Sequence, residues 1–222
     1  MNSRLQRARA LNRGLLTLVS QYLPQSRPLA RNHNDWAVVG PALVARAART
    51  MKAIDELQNG YFAGAADALV RVVYDHMNTF AWIAAEPASR LPCWIAEDYR
   101  KRLVVQDELE ALGGQPMPSN IRLEFEQHRD AATVRLPNTE RLAGQADDHW
   151  GKVLGEVFNH APVFTFRGMY TAIFRNASAW VHPTTIGLNG MVTTDPMYGQ
   201  LVIDSDGERF ESEGTNAFTV AP

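Results

Sequence analysis

Cysteine is scarce in this sequence and long apolar runs are absent, and each absence excludes a class of protein. Cys93 is the only cysteine among the 222 residues, so the chain can form neither an internal disulfide nor a cysteine-based zinc site. Such cysteine usage is typical of a reducing compartment. No stretch approaches the roughly 20 consecutive apolar residues that cross a bilayer. We therefore expect a cytoplasmic protein without a membrane segment, in which Cys93 is a structural thiol.

Acidic residues are absent from the first 34 positions, which contain six arginines: Arg4, Arg7, Arg9, Arg13, Arg27 and Arg31. The formal net charge of −2 therefore averages a basic arm and an acidic body. A basic arm attracts the phosphates of RNA or docks on an acidic partner, whereas an acidic body is a poor general binder of nucleic acid. An arginine-rich start without acids also fits a mitochondrial transit peptide.

Several chemical signatures are missing as well. The sequence has no glycine-rich phosphate loop, no Walker pattern and no Gly-x-Ser-x-Gly elbow, so we expect no cofactor. His149, Glu156 and His160 share one helical face. His149 and Glu156 would lie about 10.5 Å apart along a helix, too far for one ion. Glu156 and His160 could bind a metal only with a third group from elsewhere, and we predict no metal site.

Helical periodicity is what the sequence does contain, and it predicts an all-α fold class, a helical bundle with a small C-terminal β-hairpin. We expect a basic N-terminal helix or arm over 1–34, the bundle over 35–198, and the β-hairpin with the C-terminal tail over 199–222. The predicted helices cover 3–23, 37–60, 62–86, 93–112, two segments of 119–160 separated by Pro137, and 168–182. The hairpin would pair 199–203 with 208–211 around the turn dipeptide Asp206-Gly207.

The helix predicted over 62–86 is apolar around most of its circumference, which is typical of the centre of a bundle. Its polar side chains form one stripe at helical spacing: Asp67, Arg71, Asp75 and Asn78. In one interpretation, Arg71 pairs with the two acids and locks the helix to a neighbour. In the other, the stripe lines a cleft. His76 faces the apolar side, and we predict that it is a packed core histidine.

A second polar stripe lies on the helix predicted over 168–182, where Thr171, Arg175, Ser178 and His182 recur at helical spacing and Tyr170 lies on the opposite, core-facing side. Arg175 and His182 would lie about 10.5 Å apart along the axis but nearly eclipsed in projection. At the C-terminus of a helix, the dipole favours the imidazolium form of His182. A solvated face with a capping histidine is the alternative interpretation.

Arg175, Asn176 and His182 resemble a motif of the HEPN (higher eukaryotes and prokaryotes nucleotide-binding) helical proteins. The ribonuclease members of that family carry an arginine, usually a polar residue, and then a histidine. Of four arginine–histidine pairs with comparable spacing in this sequence, only Arg175/His182 has a polar residue after the arginine. The layout is also similar to an uncharacterised prokaryotic helical family with an Arg-x-x-x-acid helix, here Arg71 to Asp75, and a later helix reading Tyr…Ser…His-Pro.

The HEPN resemblance implies metal-independent cleavage of RNA. His182 would be the general base and Arg175 would stabilise charge on the phosphate, while Asn176 would orient the reacting groups. The residues expected to bind or support the substrate are Thr171, Ser178, Tyr170, Arg71 and Asp75. We expect RNA as the ligand and a homodimer as the assembly. The alternative is a non-catalytic helical interaction module in which both stripes are structural and the basic arm docks an acidic partner.

Overall fold

Helices make up most of the chain that the computed structural model describes, which is residues 3–22, 35–59, 63–158, 165–175, 192–194 and 201–203. The elements are α1 (Ser3–Tyr22), α2 (Trp36–Asn59), α3 (Ala63–Ala85), α4 (Pro87–Ala111), α5 (Ser119–Asp130), α6 (Thr139–Phe158), α7 (Phe166–Met169), a π-helical segment (Tyr170–Phe174), β1 (Val192–Thr194) and β2 (Leu201–Ile203). The predicted all-α class is confirmed for the bundle. None of the described helices is both long enough and apolar enough to cross a membrane.

Prolines and glycines explain most of the helix boundaries. The predicted break before Pro87 is confirmed, since α3 ends at Ala85 and Pro87 occupies the first turn of α4, where a missing N–H costs nothing. The predicted start of this helix near Cys93 was wrong, because α4 also accommodates Pro92 and begins well before it. The predicted end is confirmed by Gly113, whose φ of 88° lies in the left-handed region that favours glycine.

Helix α3 packs against α2, α4, α6 and the π-helical segment, which confirms its predicted central place. The fully buried Ile83 belongs to a core cluster that also contains Val39, Leu43, Trp82, Leu91, Cys93 and Leu142. The thiol of Cys93 is buried and donates to the carbonyl of Ser89, as expected of a structural cysteine.

Side-chain hydrogen bonds fix the position of α6 against α3. The amide of Asn78 donates to the carbonyl of Thr139 at 3.0 Å, at the start of α6. The indole of Trp82 donates to Gln145 at 2.6 Å, and that of Trp150 donates to the carbonyl of Ala81 at 2.8 Å. The cost of burying these three donors is offset because each finds an acceptor, and the bonds hold the two helices in one register.

The connection from α4 to α5 is held by the carboxylate of Glu110. It accepts hydrogen bonds from the backbone N–H of Met117 at 2.9 Å and from Arg122 at 3.1 Å. The backbone N–H of Met117 is the main cause of a lowered pKa for Glu110, since hydrogen bonds to the charged form stabilise it.

The strand pairing differs from the predicted hairpin. Leu201–Ile203 pairs in antiparallel fashion with the upstream segment Val192–Thr194. The β-branched residues of 192–194 fit a pleated strand better than the charged sequence of 208–211, which lies outside the described residues. The hairpin around Asp206-Gly207 is therefore not supported.

Candidate functional site

The candidate site lies where the middle of α3 meets the π-helical segment. Tyr74 from α3 has its ring centroid 5.7 Å from that of Phe174 and 6.4 Å from that of Tyr170. Tyr170 and Phe174 stack on each other, with centroids 5.0 Å apart and planes inclined by 19°. We call Tyr74, Tyr170 and Phe174 the aromatic cluster. Offset stacking of this kind stabilises aromatic pairs beyond the area that they bury.

Two arginines from different elements lie over the rings of this cluster. The guanidinium carbon of Arg71, on α3, is 4.5 Å from the centroid of the Phe174 ring. That of Arg175, which follows the π-helical segment, is 5.6 Å from the centroid of Tyr170. Both distances are within the range of a cation–π contact. The result is a surface that combines two cations with stacked aromatic rings.

The carboxylate of Asp75 lies beside Arg71, with 4.0 Å between its Oδ2 and the Nε of the arginine. Burial raises the pKa of Asp75, and the positive charges of Arg71, His76 and Lys101 oppose that shift. Burial raises the pKa because it disfavours the ionised form of a carboxyl group. One carboxylate thus lies beside a surface that carries two arginines.

We expect the stability of the protein to depend on pH through Asp75. The pKa of Asp75 lies above its ordinary value of 3.8 in the folded chain. Its contribution to stability is therefore fully present below that value and is lost as pH rises through the folded pKa. The variant Asp75→Asn lacks this group, so its free energy of unfolding should fall less than that of the wild type over the pH interval that begins at 3.8 and extends upward through the folded pKa.

Urea unfolding at several pH values in that interval tests this prediction. Asp98→Asn is the matched control, because Asp98 also belongs to an i,i+4 ion pair, with Arg102, on the exposed side of α4. If the free energies of unfolding of the wild type and of Asp75→Asn change with pH in parallel across the interval, Asp75 is not the source of the pH dependence.

Helix α7 is anchored at its first turn by a side chain of α6, by its own capping residue and by a side chain of α3. Asp147 of α6 accepts the backbone N–H of Phe166 at 2.6 Å and that of Arg167 at 2.9 Å. The hydroxyl of Thr165 accepts the N–H of Gly168 at 3.0 Å. Three N–H groups that a helix start leaves without partners are thereby satisfied. The negative charge of Asp147 is also favourable at this end of a helix dipole.

Tyr74 supplies the third anchor. Its hydroxyl donates to the carbonyl of Phe166 at 2.8 Å. Burial, reinforced by the negative charges of Asp147 and Asp75, raises the pKa of the Tyr74 phenol far above its ordinary value. The phenol therefore stays protonated and remains a donor. Together, Tyr74 and Asp147 fix the position of the aromatic cluster relative to α3.

The structure brings together Arg71, Asp75, Tyr170 and Arg175 of the predicted site residues. Thr171 is exposed, as Arg175 is. The other predicted site residues, Asn176, Ser178 and His182, lie outside the described residues, so the arginine–histidine pairing stays a prediction.

The assumption of regular α-helical spacing after Tyr170 was wrong. The backbone N–H of Arg175 bonds to the carbonyl of Tyr170, five residues earlier, whereas an α-helix closes the bond after four. Such single wide turns inside helices occur frequently at functional sites. Angles counted at 3.6 residues per turn therefore do not apply across Tyr170–Phe174.

Other polar residues of interest lie outside this site. The ring nitrogen Nδ1 of His76 bonds to the carbonyl of Val72, in agreement with a packed rather than a catalytic histidine. Asn78 is buried in the contact with α6. In the described part of the chain, no three His, Cys, Asp or Glu side chains lie close enough to hold one metal ion. His160, which the sequence pairs with Glu156 as a potential metal ligand, is not among the described residues.

Sequence reasoning missed Tyr74 and Asp147. Both act over long distances in the chain, since Tyr74 and Phe166 are 92 positions apart and Asp147 and Phe166 are 19 apart. The position of Tyr74 next to Asp75 in a helix with a polar stripe was the one local signal. Nothing in the local sequence indicates that Asp147, rather than Asp148, caps another helix.

The fold and the site together define an all-helical bundle that carries an arginine and aromatic surface at the junction of α3 and the π-helical segment. The chain belongs to DUF5677, a family of unknown function, whose model matches residues 37–200. The matched region begins within α2 and contains every residue of the candidate site described above. Comparisons with curated proteins and with solved structures give no match.

Proposed function

We propose that this protein is a HEPN-like protein that binds single-stranded RNA at the surface formed by Arg71, Arg175 and the aromatic cluster. The observation that supports the proposal is the pair of guanidinium groups over the stacked rings of Phe174 and Tyr170. Single-stranded RNA is recognised by stacking of its bases on aromatic rings or guanidinium planes, while arginines neutralise its phosphates. At this surface, the two guanidinium groups would supply both kinds of contact, because each lies over a ring and carries a positive charge.

The charge distribution supports a local contact. The chain as a whole is slightly acidic, so non-specific attraction of nucleic acid to the body is weak. The basic arm, in which Arg7 and Arg13 belong to α1, supplies the non-specific attraction to phosphates. Specific recognition of RNA would then take place at the surface formed by Arg71, Arg175 and the aromatic cluster.

We further propose that bound RNA is cleaved without a metal ion, as the HEPN resemblance implies. His182 would take the proton from a 2′-hydroxyl, whose oxygen then attacks the adjacent phosphorus. The bond from phosphorus to the 5′-oxygen breaks, the upstream strand ends in a 2′,3′-cyclic phosphate, and the departing 5′-oxygen takes a proton from water and leaves as a hydroxyl. Arg175 would stabilise the charge that develops on the phosphate. Asn176 would orient the reacting groups.

Binding of RNA is the first test of this proposal. Alanine at Arg71 or Arg175 should weaken the binding of a labelled single-stranded oligoribonucleotide by about tenfold, because each removes a cation that contacts base or phosphate. Arg71→Lys keeps the charge but loses the planar guanidinium, so its affinity should be intermediate. Fluorescence anisotropy at fixed salt measures these affinities.

Arg49→Ala is the matched control, since Arg49 is exposed on α2 and the change in charge is the same. Unaltered affinity in both Arg71→Ala and Arg175→Ala would contradict the proposed surface. That result would favour a non-catalytic interaction module. The ion pair of Arg71 with Asp75 is the observation on which this alternative rests, because the arginine would then serve the fold alone.

A further inference from the structure

A second concentration of positive charge lies away from the aromatic cluster. A cavity of about 600 Å³ opens between the connection from α5 to α6, the first turns of α6 and the start of α7. Its lining includes three arginines, Arg135, Arg141 and Arg167, and one acid, Asp148. The side chains around the cavity therefore carry an excess of positive charge.

Among the residues that the structure describes, this charge has few acidic partners. In the described part of the chain, neither Arg141 nor Arg167 forms an ion pair. Arg135 has only a contact of 3.8 Å with Glu97, a carboxylate that already pairs with Arg100. Several arginines elsewhere have closer acidic partners: Arg90, Arg102 and Arg122. Neighbouring cations without counter-charges repel one another, and an anion between them would remove that repulsion.

Hydrogen-bond donors of the lining add to the charge. Gln145 lines the cavity, and its carbonyl oxygen accepts the indole N–H of Trp82, so its amino group remains able to donate. Asn138 caps the start of α6 by accepting the N–H of Arg141 at 2.9 Å. The positive end of the α6 dipole therefore lies at the cavity, and such helix ends favour anions.

Gly144 leaves open the space that the Arg167 guanidinium occupies. A side chain at 144 would overlap the guanidinium of Arg167, and no other group lies as close. Glycine inside a helix is less favourable than alanine. At this position in α6, the glycine provides the space in which the Arg167 guanidinium lies against the helix backbone.

We propose that this cavity binds a phosphoryl group, either free phosphate or the phosphate of a nucleotide or RNA strand. Guanidinium groups bind phosphate oxygens in pairs through their planar fork of N–H donors. Three arginines opposed by one carboxylate match the charge of a dianion. The volume falls in the range of small-molecule sites, about 300–1,000 Å³, and accommodates a nucleoside phosphate. This site does not depend on the RNA surface proposed above.

Calorimetric titration of the full chain with inorganic phosphate, pyrophosphate and AMP at constant ionic strength tests the proposal. We expect saturable binding by the wild type, and binding weaker by about tenfold in Arg141→Ala and in Arg167→Ala. Arg49→Ala should bind like the wild type. Arg71→Ala should also retain phosphate binding, which separates this site from the RNA surface.

Gly144→Ala distinguishes binding from a structural role. This variant keeps all three arginines and gains helix propensity, so its thermal stability should be equal to or higher than that of the wild type. The added methyl group displaces the Arg167 guanidinium, so phosphate binding should weaken. A loss of binding without a loss of stability supports the site, whereas unchanged binding in Arg167→Ala overturns the role of Arg167.

The source of the phosphoryl group is decided by a separate comparison. A 5′-phosphorylated oligoribonucleotide that binds more tightly than its 5′-hydroxyl counterpart, with the difference lost in Arg167→Ala, identifies the end of an RNA strand. Equal binding of the two strands, together with saturable binding of phosphate or AMP, identifies a free phosphate or nucleotide. Absence of saturable binding by every phosphate probe, or equal affinity for succinate, overturns the proposal.

Discussion

Purified protein is expected to cleave single-stranded RNA in the presence of EDTA, and alanine at either Arg175 or His182 is expected to slow this cleavage by about a hundredfold. Removal of His182 takes away the proposed general base. Removal of Arg175 takes away the cation that would stabilise the reacting phosphate. Single-turnover rates on 5′-labelled RNA measure the effect, and a 2′,3′-cyclic phosphate on the upstream product identifies attack by the 2′-oxygen.

Two matched variants control this experiment. Arg49→Ala removes an exposed arginine of α2, and His149→Ala removes a histidine whose ring contacts Trp150 at a centroid distance of 5.0 Å. Both should cleave RNA at the wild-type rate. The catalytic proposal fails if the wild type leaves the RNA intact, or if Arg175→Ala and His182→Ala retain full activity. RNA binding at the surface would then be judged by the affinity measurements alone.

Asp147→Ala is expected to lower the free energy of unfolding by about 2 kcal/mol, because two backbone N–H groups at the start of α7 lose a charged acceptor. For a chain of this size, the melting temperature should fall by about 5 °C. The affinity for RNA should fall as well, since α7 leads directly into Tyr170, Phe174 and Arg175. Thermal unfolding and anisotropy measure the two effects.

Asp148→Ala provides a stringent control for Asp147→Ala. The neighbouring carboxylate is exposed, and the bonds to the N–H groups of Phe166 and Arg167 come from Asp147. Replacing Asp148 should therefore change stability by less than about 0.5 kcal/mol. Asp147→Asn retains one acceptor oxygen, so its loss of stability should lie between those of Asp147→Ala and Asp148→Ala. Equal effects of the changes at 147 and 148 would exclude a specific anchoring role.

Much of the bundle could be predicted from the sequence, because its signals are local. Apolar spacing identified α2, α3 and the pair formed by α5 and α6, while Pro24, Pro87 and Gly113 marked ends of helices. The start of α4 was misplaced, since prolines in the first turns of a helix are tolerated and cannot be told from a break. The predicted partner of Leu201–Ile203 lies outside the described residues, and the nearby strand Val192–Thr194 was not recognised because a run of three residues is too short to show an alternating pattern.

The candidate site was only partly predictable. Arg71, Asp75 and Arg175 carry local signals, as charged residues on apolar helices. The bonds that position them are long-range: Tyr74 and Asp147 both reach the start of α7. Periodicity within one helix contains no information on such contacts. The arginine cavity could not be predicted from the sequence either, because its three arginines share neither a helix face nor a motif: Arg135, Arg141 and Arg167.

The wide turn at Tyr170–Phe174 has a consequence for the comparison of related chains. This turn contains one residue more than a regular α-helical turn, because the backbone N–H of Arg175 donates to the carbonyl of Tyr170 instead of to that of Thr171. A chain that lacks one residue within this turn could close a regular α-helical turn. Its arginine would then be rotated by about 100° around the axis relative to the preceding turn, away from the ring on which Arg175 lies. A single-residue gap here would therefore separate chains that keep this surface from chains that have lost it, even where every arginine is retained.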